Sequence, residues 1–105
     1  MIAETPTPPY YAVIFTSIRT EPDPEYGQMA QWMHELASTQ EGFLGLESAR
    51  ESIGITVSYW RDLDSIKRWK YHTDHLVAQK LGRERWYRAY KTRICLVERE
   101  YGFGQ

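Results

Sequence analysis

Alternation of apolar and polar positions predicts four β-strands along this chain. They cover residues 10–18, 43–50, 55–60 and 91–100, where β-branched and aromatic side chains recur at every second position. In the first strand, one face carries Tyr11, Val13 and Phe15, and the other carries Ala12, Ile14, Thr16 and Ile18. Because both faces are largely apolar, we expect the sheet to be covered on both sides.

Helical periodicity predicts two helices between these strands. The first runs from about Pro24 to Ser38, where apolar residues recur three and four positions apart. The second begins after Asp62, a suitable N-cap, breaks near Thr73 and stops before Gly82. The polar and aromatic stretch 83–90 could extend this helix or begin the last strand.

The element order is therefore β-α-β-β-α-β, which predicts an α+β, ferredoxin-like fold. Its four-stranded antiparallel sheet has both helices on one face and leaves the other face bare. A bare apolar face is best buried against a second copy, so we expect a homodimer. The proline-rich residues 1–9 are predicted to form a flexible N-terminal arm, and residues 10–105 a single domain.

Composition restricts the possible functions. The 105 residues are 42% hydrophobic and 26% charged, as in a soluble globular domain, and a net charge of −1 argues against a nucleic-acid partner. Apolar runs are too short to span a membrane, and no secretion signal precedes the first strand. The single cysteine, Cys95, fits a reducing compartment. We therefore expect a cytoplasmic protein with no membrane partner.

Unusual side chains concentrate between the third strand and the second helix. Four tryptophans and eight tyrosines are many for so short a chain, and aromatics with a polar edge often line pockets for flat ligands. His75 and Gln79 share one helical face, and a mild helix break would place Trp69 at its border. An indole, an imidazole and an amide could then hold a planar ligand. The alternative is that Trp69 is an ordinary core residue and His75 a half-exposed one. A metal site is not expected, because His72 and His75 lack nearby further ligands.

Four segments carry a resemblance to a known family. They are EGFLGLES, GITVSYWRDLDSIKRWKYHTDH, AQKLGRERWYRAY and VEREY. Together they are similar to the antibiotic biosynthesis monooxygenase superfamily of dimeric α+β-barrel proteins, over nearly the whole chain from Tyr10 to Tyr101. The resemblance implies a homodimer of that fold but does not by itself define the substrate.

The resemblance also implies an activity and residues for it. Members include cofactor-independent oxygenases, in which a base deprotonates a phenol inside an aromatic cavity. On this chain the catalytic pair would be His75 and Trp69, with substrate contacts from Trp60, His72 and two polar residues, Thr16 and Gln79. The expected ligand is a small aromatic compound, with neither cofactor nor metal.

Three other functions are alternatives to this one, and the residues disfavour the first of them. Haem-degrading members carry an Asn in the first strand and a haem-ligating His about ten positions after the helix tryptophan, whereas this chain has Thr16 and Gln79 there. Neither replaces the Asn amide or the axial imidazole well, so haem degradation is disfavoured. The protein could instead be a non-catalytic dimer that binds small molecules, or a purely structural dimer.

Overall fold

The fold is an antiparallel sheet joined by two helices. It is seen in a computed structural model that describes residues 2–20, 24–74 and 86–104. The described elements are β1 (Tyr10–Arg19), α1 (Pro24–Ser38), β2 (Phe43–Arg50), β3 (Gly54–Trp60), α2 (Leu63–Asp74) and β4 (Tyr87–Val97). This confirms the predicted α+β order. None of the helices in these ranges is long and apolar enough to cross a membrane.

The last strand differs from its predicted bounds. It begins at Tyr87, so the end of the stretch 83–90 starts the strand, which was one of the two alternatives, and it ends at Val97 rather than at Glu100. Its early start pairs Tyr87 with Arg19 at the end of β1. Its end is set by Pro9, because Val97 pairs with Tyr10 and the proline before it has no N–H group to extend the ladder. The predicted helix break and second helical piece lie outside the described residues.

The sheet has the strand order β2-β3-β1-β4, with every neighbouring pair antiparallel. Trp69 of α2 stacks on Trp60 of β3, which defines the helix-side face. Tyr11 of β1 is the direct partner of Trp60, so Val13, Phe15 and the other odd-numbered residues of β1 also lie on this face. Even-numbered residues of β1 lie on the opposite face, which we call the helix-free face.

Asp62 starts the second helix as predicted. Its Oδ1 accepts a hydrogen bond from the backbone N–H of Ser65 at 2.8 Å, the bond expected of an N-cap. Hydrogen bonds from Ser65 and Arg61 favour the ionised carboxylate and lower the pKa of Asp62 to about 2. The cap therefore stays charged throughout the neutral range.

The N-terminal arm lies against one end of the helix-free face. The backbone N–H of Ala3 donates to Glu47 Oε2 at 2.8 Å, and Tyr59 donates to the other carboxylate oxygen at 2.6 Å. The hydroxyl of Thr5 donates to Glu100 Oε2 at 2.6 Å, and Tyr10 bonds to the same oxygen. Two tyrosine–glutamate pairs thus connect the arm, the sheet and the residues after β4.

Tyr59 should ionise only at high pH. Burial, together with the hydrogen bond to the Glu47 carboxylate, raises the pKa of the Tyr59 phenol from 10.0 to about 12. Because the folded-state pKa is the higher one, the stabilisation that this phenol contributes is complete below pH 10 and is lost as the pH rises through about 12. Tyrosinate absorbance during an alkaline titration should therefore show a late step.

Two variants assign that step. Tyr59→Phe should reduce the amplitude of this step and leave only the contribution of Tyr10, whose pKa is also raised by burial and by its bond to Glu100. Tyr101→Phe, at a fully exposed side chain, should leave the step unchanged. Circular dichroism at each pH shows whether the protein is still folded. Complete ionisation of the tyrosines near their ordinary pKa in folded protein would contradict the assignment.

Candidate functional site

A column of stacked rings runs from the core to the surface on the helix side of the sheet. The ring centroids of Trp60 and Trp69 are 5.8 Å apart with planes 30° from parallel. His72 also stacks on Trp69, with ring centroids 6.2 Å apart and planes 23° from parallel. Trp60 is fully buried, whereas His72 is exposed. We call Trp60, Trp69 and His72 the aromatic column.

The local sequence explains why these rings meet. Trp60 ends β3 and points to the helix side, where its Nε1 donates to Ser58 Oγ at 2.9 Å and its ring meets Phe43 edge-on. Trp69 and His72 are three positions apart on α2, so their side chains lie one above the other along the helix. The Asp62 cap fixes where α2 starts and therefore which of its residues faces Trp60.

An open groove lies beside the exposed end of the column. Its volume is about 530 Å³, and it is lined by Gln40, Asp64, Lys67, Arg68, Tyr71 and His72. The lining combines amide, carboxylate, cationic and phenolic groups with one imidazole. Such a groove can hold the polar edge of a flat ligand while the imidazole exchanges a proton with it.

The helix-side face of the sheet is not packed entirely by apolar side chains. The hydroxyls of Thr56, Ser58 and Thr92 lie on it between its two ends, and Ser58 accepts the bond from Trp60. Ile94 and Leu96 of β4 share this face, yet they are 54% and 49% exposed. Polar groups and accessible apolar walls therefore occur together on this face, which is the composition of a ligand site rather than of a closed core.

The structure brings together three of the six predicted site residues. Trp60, Trp69 and His72 form the aromatic column, whereas Thr16 lies on the helix-free face. Thr16 pairs with Ile55, five positions from Trp60 along β3, and side chains an odd number of positions apart project from opposite faces of a strand. The expectation that Thr16 shares a cavity with Trp60 is therefore wrong. His75 and Gln79 lie outside the described residues.

Sequence reasoning missed a second group of rings at the other end of the helix-side face. Phe15, Tyr87 and Tyr90 are in mutual contact, with centroid separations of 5.5, 5.4 and 5.9 Å. Ser17 and Arg50 lie beside them, and the Arg50 guanidinium donates to Ser17 Oγ. The only signal in the sequence was the inclusion of Tyr87 and Tyr90 in a polar and aromatic stretch whose strand register could not be inferred.

Metal-ligating side chains do not cluster in the part of the chain that the structure describes. Within it, no three His, Cys, Asp or Glu side chains lie close enough to hold a metal ion. Cys95 is half-buried on the helix-free face, beside Ala12 of β1.

Comparison with known proteins identifies the family. The family profile described as antibiotic biosynthesis monooxygenase matches residues 9–81. The chain is also 50% identical over 101 residues to the uncharacterised protein YqjZ of Bacillus subtilis (strain 168), an alignment that covers 94% of this chain and 89% of YqjZ. The protein is thus an α+β protein of ferredoxin-like topology, and it belongs to the antibiotic biosynthesis monooxygenase family.

Solved structures share the fold at low sequence identity. SnoaB, a cofactor-independent oxygenase from Streptomyces nogalater, has a TM-score of 0.70 and 13% identity, covering 93% of this chain and 100% of its own. PA3566 from Pseudomonas aeruginosa has a TM-score of 0.68 and 16% identity, covering 90% of this chain and 98% of its own. At such identities the similarity establishes the fold alone.

Proposed function

We propose that this protein is a cofactor-independent monooxygenase that acts, as a homodimer, on a small aromatic or phenolic compound. The observation that carries the proposal is the aromatic column, which ends in an exposed imidazole beside a groove with polar walls. Family membership supports an oxygenase, and the similarity to SnoaB, itself a cofactor-independent oxygenase, supports one that needs no bound cofactor.

The proposed chemistry requires a base and a binding surface for a planar ring. An imidazole removes the proton of an electron-rich phenol, and the resulting anion transfers electrons directly to O₂. One oxygen atom of O₂ is then incorporated at a ring carbon. The other leaves as water, with one hydrogen from that carbon and one from the phenol hydroxyl. The substrate is therefore the reductant, and O₂ is the oxidant.

Two histidines are candidates for the base. His72 belongs to the aromatic column, where it stacks on Trp69 at the groove. His75 follows three positions later and lies outside the described residues, as does Gln79, the proposed amide contact. Trp69, which is half-buried, supplies the flat apolar surface for the substrate, and the fully buried Trp60 packs against it from the core side. Thr16 has no place in this site, because it lies on the helix-free face.

The homodimer is proposed from the helix-free face. Its centre carries Ile14 and Val57, which are only half-buried, and Ile55 beside them is 44% exposed. Glu47 stands on the β2 side of this face, and Arg93 stands on the β4 side of the same row. A second copy could cover the apolar centre of this face. In a two-fold arrangement, the Glu47 side of one copy could then meet the Arg93 side of the other.

Oxygen consumption by the histidine variants tests the proposal. The wild-type protein should consume O₂ with a hydroquinone or an anthrone. Replacing the base by alanine, in either His72→Ala or His75→Ala, should lower the rate by about 10²- to 10⁴-fold, the usual contribution of a general base. An oxygen electrode measures the rate, and light scattering on the same samples should give about twice the chain mass of 12.4 kDa.

His34→Ala is the matched control for this experiment. His34 is an exposed histidine of α1 that does not line the groove, so its replacement should leave the rate unchanged. Wild-type rates in both site variants would eliminate an imidazole base. Tight binding of the phenols without any O₂ consumption would instead identify a non-catalytic small-molecule-binding dimer.

A further inference from the structure

One transverse row of the sheet joins an arginine to a buried serine. At the end of the helix-side face remote from Trp60, the directly paired residues across the four strands are Arg50, Gly54, Ser17 and Tyr90. We call these four residues the arginine row. The Arg50 guanidinium donates to Ser17 Oγ, and Ser17 is only 1% exposed. This bond fixes the plane of the guanidinium above the sheet.

Gly54 provides the space that the guanidinium occupies. A Cβ atom at this position would lie 2.2 Å from Arg50 Cζ and 2.6 Å from Arg50 Nε. Any other residue at position 54 would therefore displace the guanidinium. The backbone thus holds a planar cation against the helix side of the sheet, at a position where the arginine side chain itself is half-buried.

Three aromatic rings lie at the β4 end of the arginine row. Tyr90 is the direct partner of Ser17 in the arginine row, and its ring lies 5.4 Å from that of Phe15 at 36°. Tyr87 contacts both rings nearly edge-on. Tyr90 is 36% exposed, so an incoming ring can reach this group. The local composition is a positioned guanidinium beside an accessible aromatic surface.

Cationic side chains lie at this end of the face. On the described positions of β1, β2 and β3, the charged side chains that project to the helix side are Arg19 and Arg50. A guanidinium presents a planar set of N–H donors that matches the two oxygens of a carboxylate. An aromatic acid could satisfy both features at once, with its carboxylate on Arg50 and its ring on Phe15 and Tyr90.

We propose that the arginine row, together with Phe15 and Tyr87, is a binding site for the carboxylate of an aromatic acid. The site lies about 20 Å from the aromatic column, because Gly54 and Trp60 are six residue steps apart along β3, at about 3.3 Å per step. It is therefore a second site, and it goes beyond the proposed oxygenase activity. Its occupancy is measurable whether or not the protein consumes O₂.

Paired probes test this assignment. The full-length protein is titrated by calorimetry with 2-naphthoate and with 2-naphthamide, which have the same ring system and differ in charge. Wild type should bind the naphthoate at least about tenfold more tightly, the scale of a charge-assisted bidentate bond. Arg50→Gln should abolish this preference, and Arg50→Lys should retain only part of it, because lysine keeps the charge without the planar donors.

Two further variants separate binding from folding. Gly54→Ala leaves Arg50 in the sequence but fills the space that its guanidinium occupies. The preference for 2-naphthoate over 2-naphthamide should therefore fall at least several-fold, in protein that circular dichroism shows to be folded. Arg61→Gln is the matched control: this arginine is exposed and pairs with Glu41 and Asp62, so its loss should leave the preference intact. Equal affinities for the two probes, binding of neither, or a preference that survives Arg50→Gln would overturn the proposal.

Discussion

Replacing Trp60 with alanine should lower the free energy of unfolding by about 3–5 kcal/mol, the usual cost of truncating a large buried aromatic side chain. Trp60 is fully buried between Phe43 and Trp69, with centroids 5.4 and 5.8 Å away. Alanine would leave a cavity between β3 and α2, and Ser58 would lose the hydrogen bond from the indole. Urea denaturation followed by circular dichroism measures the difference from wild type.

Trp32→Ala provides the matched comparison. Trp32 lies on α1 and is 44% exposed, so its loss should cost no more than about 1 kcal/mol. Trp60→Phe should fall between the two, since the phenyl ring retains part of the packing but not the N–H donor. Equal destabilisation by Trp60→Ala and Trp32→Ala would mean that the aromatic column does not hold α2 on the sheet.

Two glycine-to-alanine substitutions should change stability in opposite directions. Gly42 has φ +87°, a conformation that side chains disfavour, and an added Cβ would lie 2.0 Å from Ser65 Oγ and 2.6 Å from its Cβ. Strain of about 1–2 kcal/mol therefore combines with a clash against the first turn of α2. We expect Gly42→Ala to destabilise the protein by about 3 kcal/mol in urea denaturation, within the range of packing and backbone defects.

Gly27→Ala should have the opposite sign. Gly27 lies within α1, and an added Cβ would meet no atom within 4 Å. Alanine is favoured over glycine inside a helix, so this variant should gain about 0.5–1 kcal/mol. A loss of stability in Gly27→Ala similar to that in Gly42→Ala would show that the local backbone conformation does not decide the outcome at these positions.

Much of the fold follows from local sequence. Alternation in β1, helical spacing in α1 and the capping residue Asp62 predicted their elements, because these signals depend on neighbours only a few positions apart. The start of β4 was left open and its end was wrong, because both depend on pairing with β1, from Tyr10 opposite Val97 to Arg19 opposite Tyr87. That pairing joins residues more than sixty positions apart, which local patterns do not encode.

In the candidate site, too, some contacts could be predicted from local sequence and others could not. Trp69 and His72 share a helix, so their proximity was accessible from spacing, and Trp60 lies just before that helix. Thr16 was assigned by resemblance to other proteins, without regard to the face on which it falls. The bond from Arg50 to Ser17 requires the register of two strand pairs, so no local pattern could have predicted it.

The strand order also affects how the chain can fold during synthesis. β1 lies in the interior of the sheet, yet one of its two neighbours is β4, the last strand in the described chain. The edge of β1 that will pair with β4 therefore stays open until Tyr87–Val97 has left the ribosome. A nascent chain can pair β1 with β3 early, but it completes the sheet only after β4 has been synthesised. Until then, β1 presents an unpaired edge that can pair with another chain.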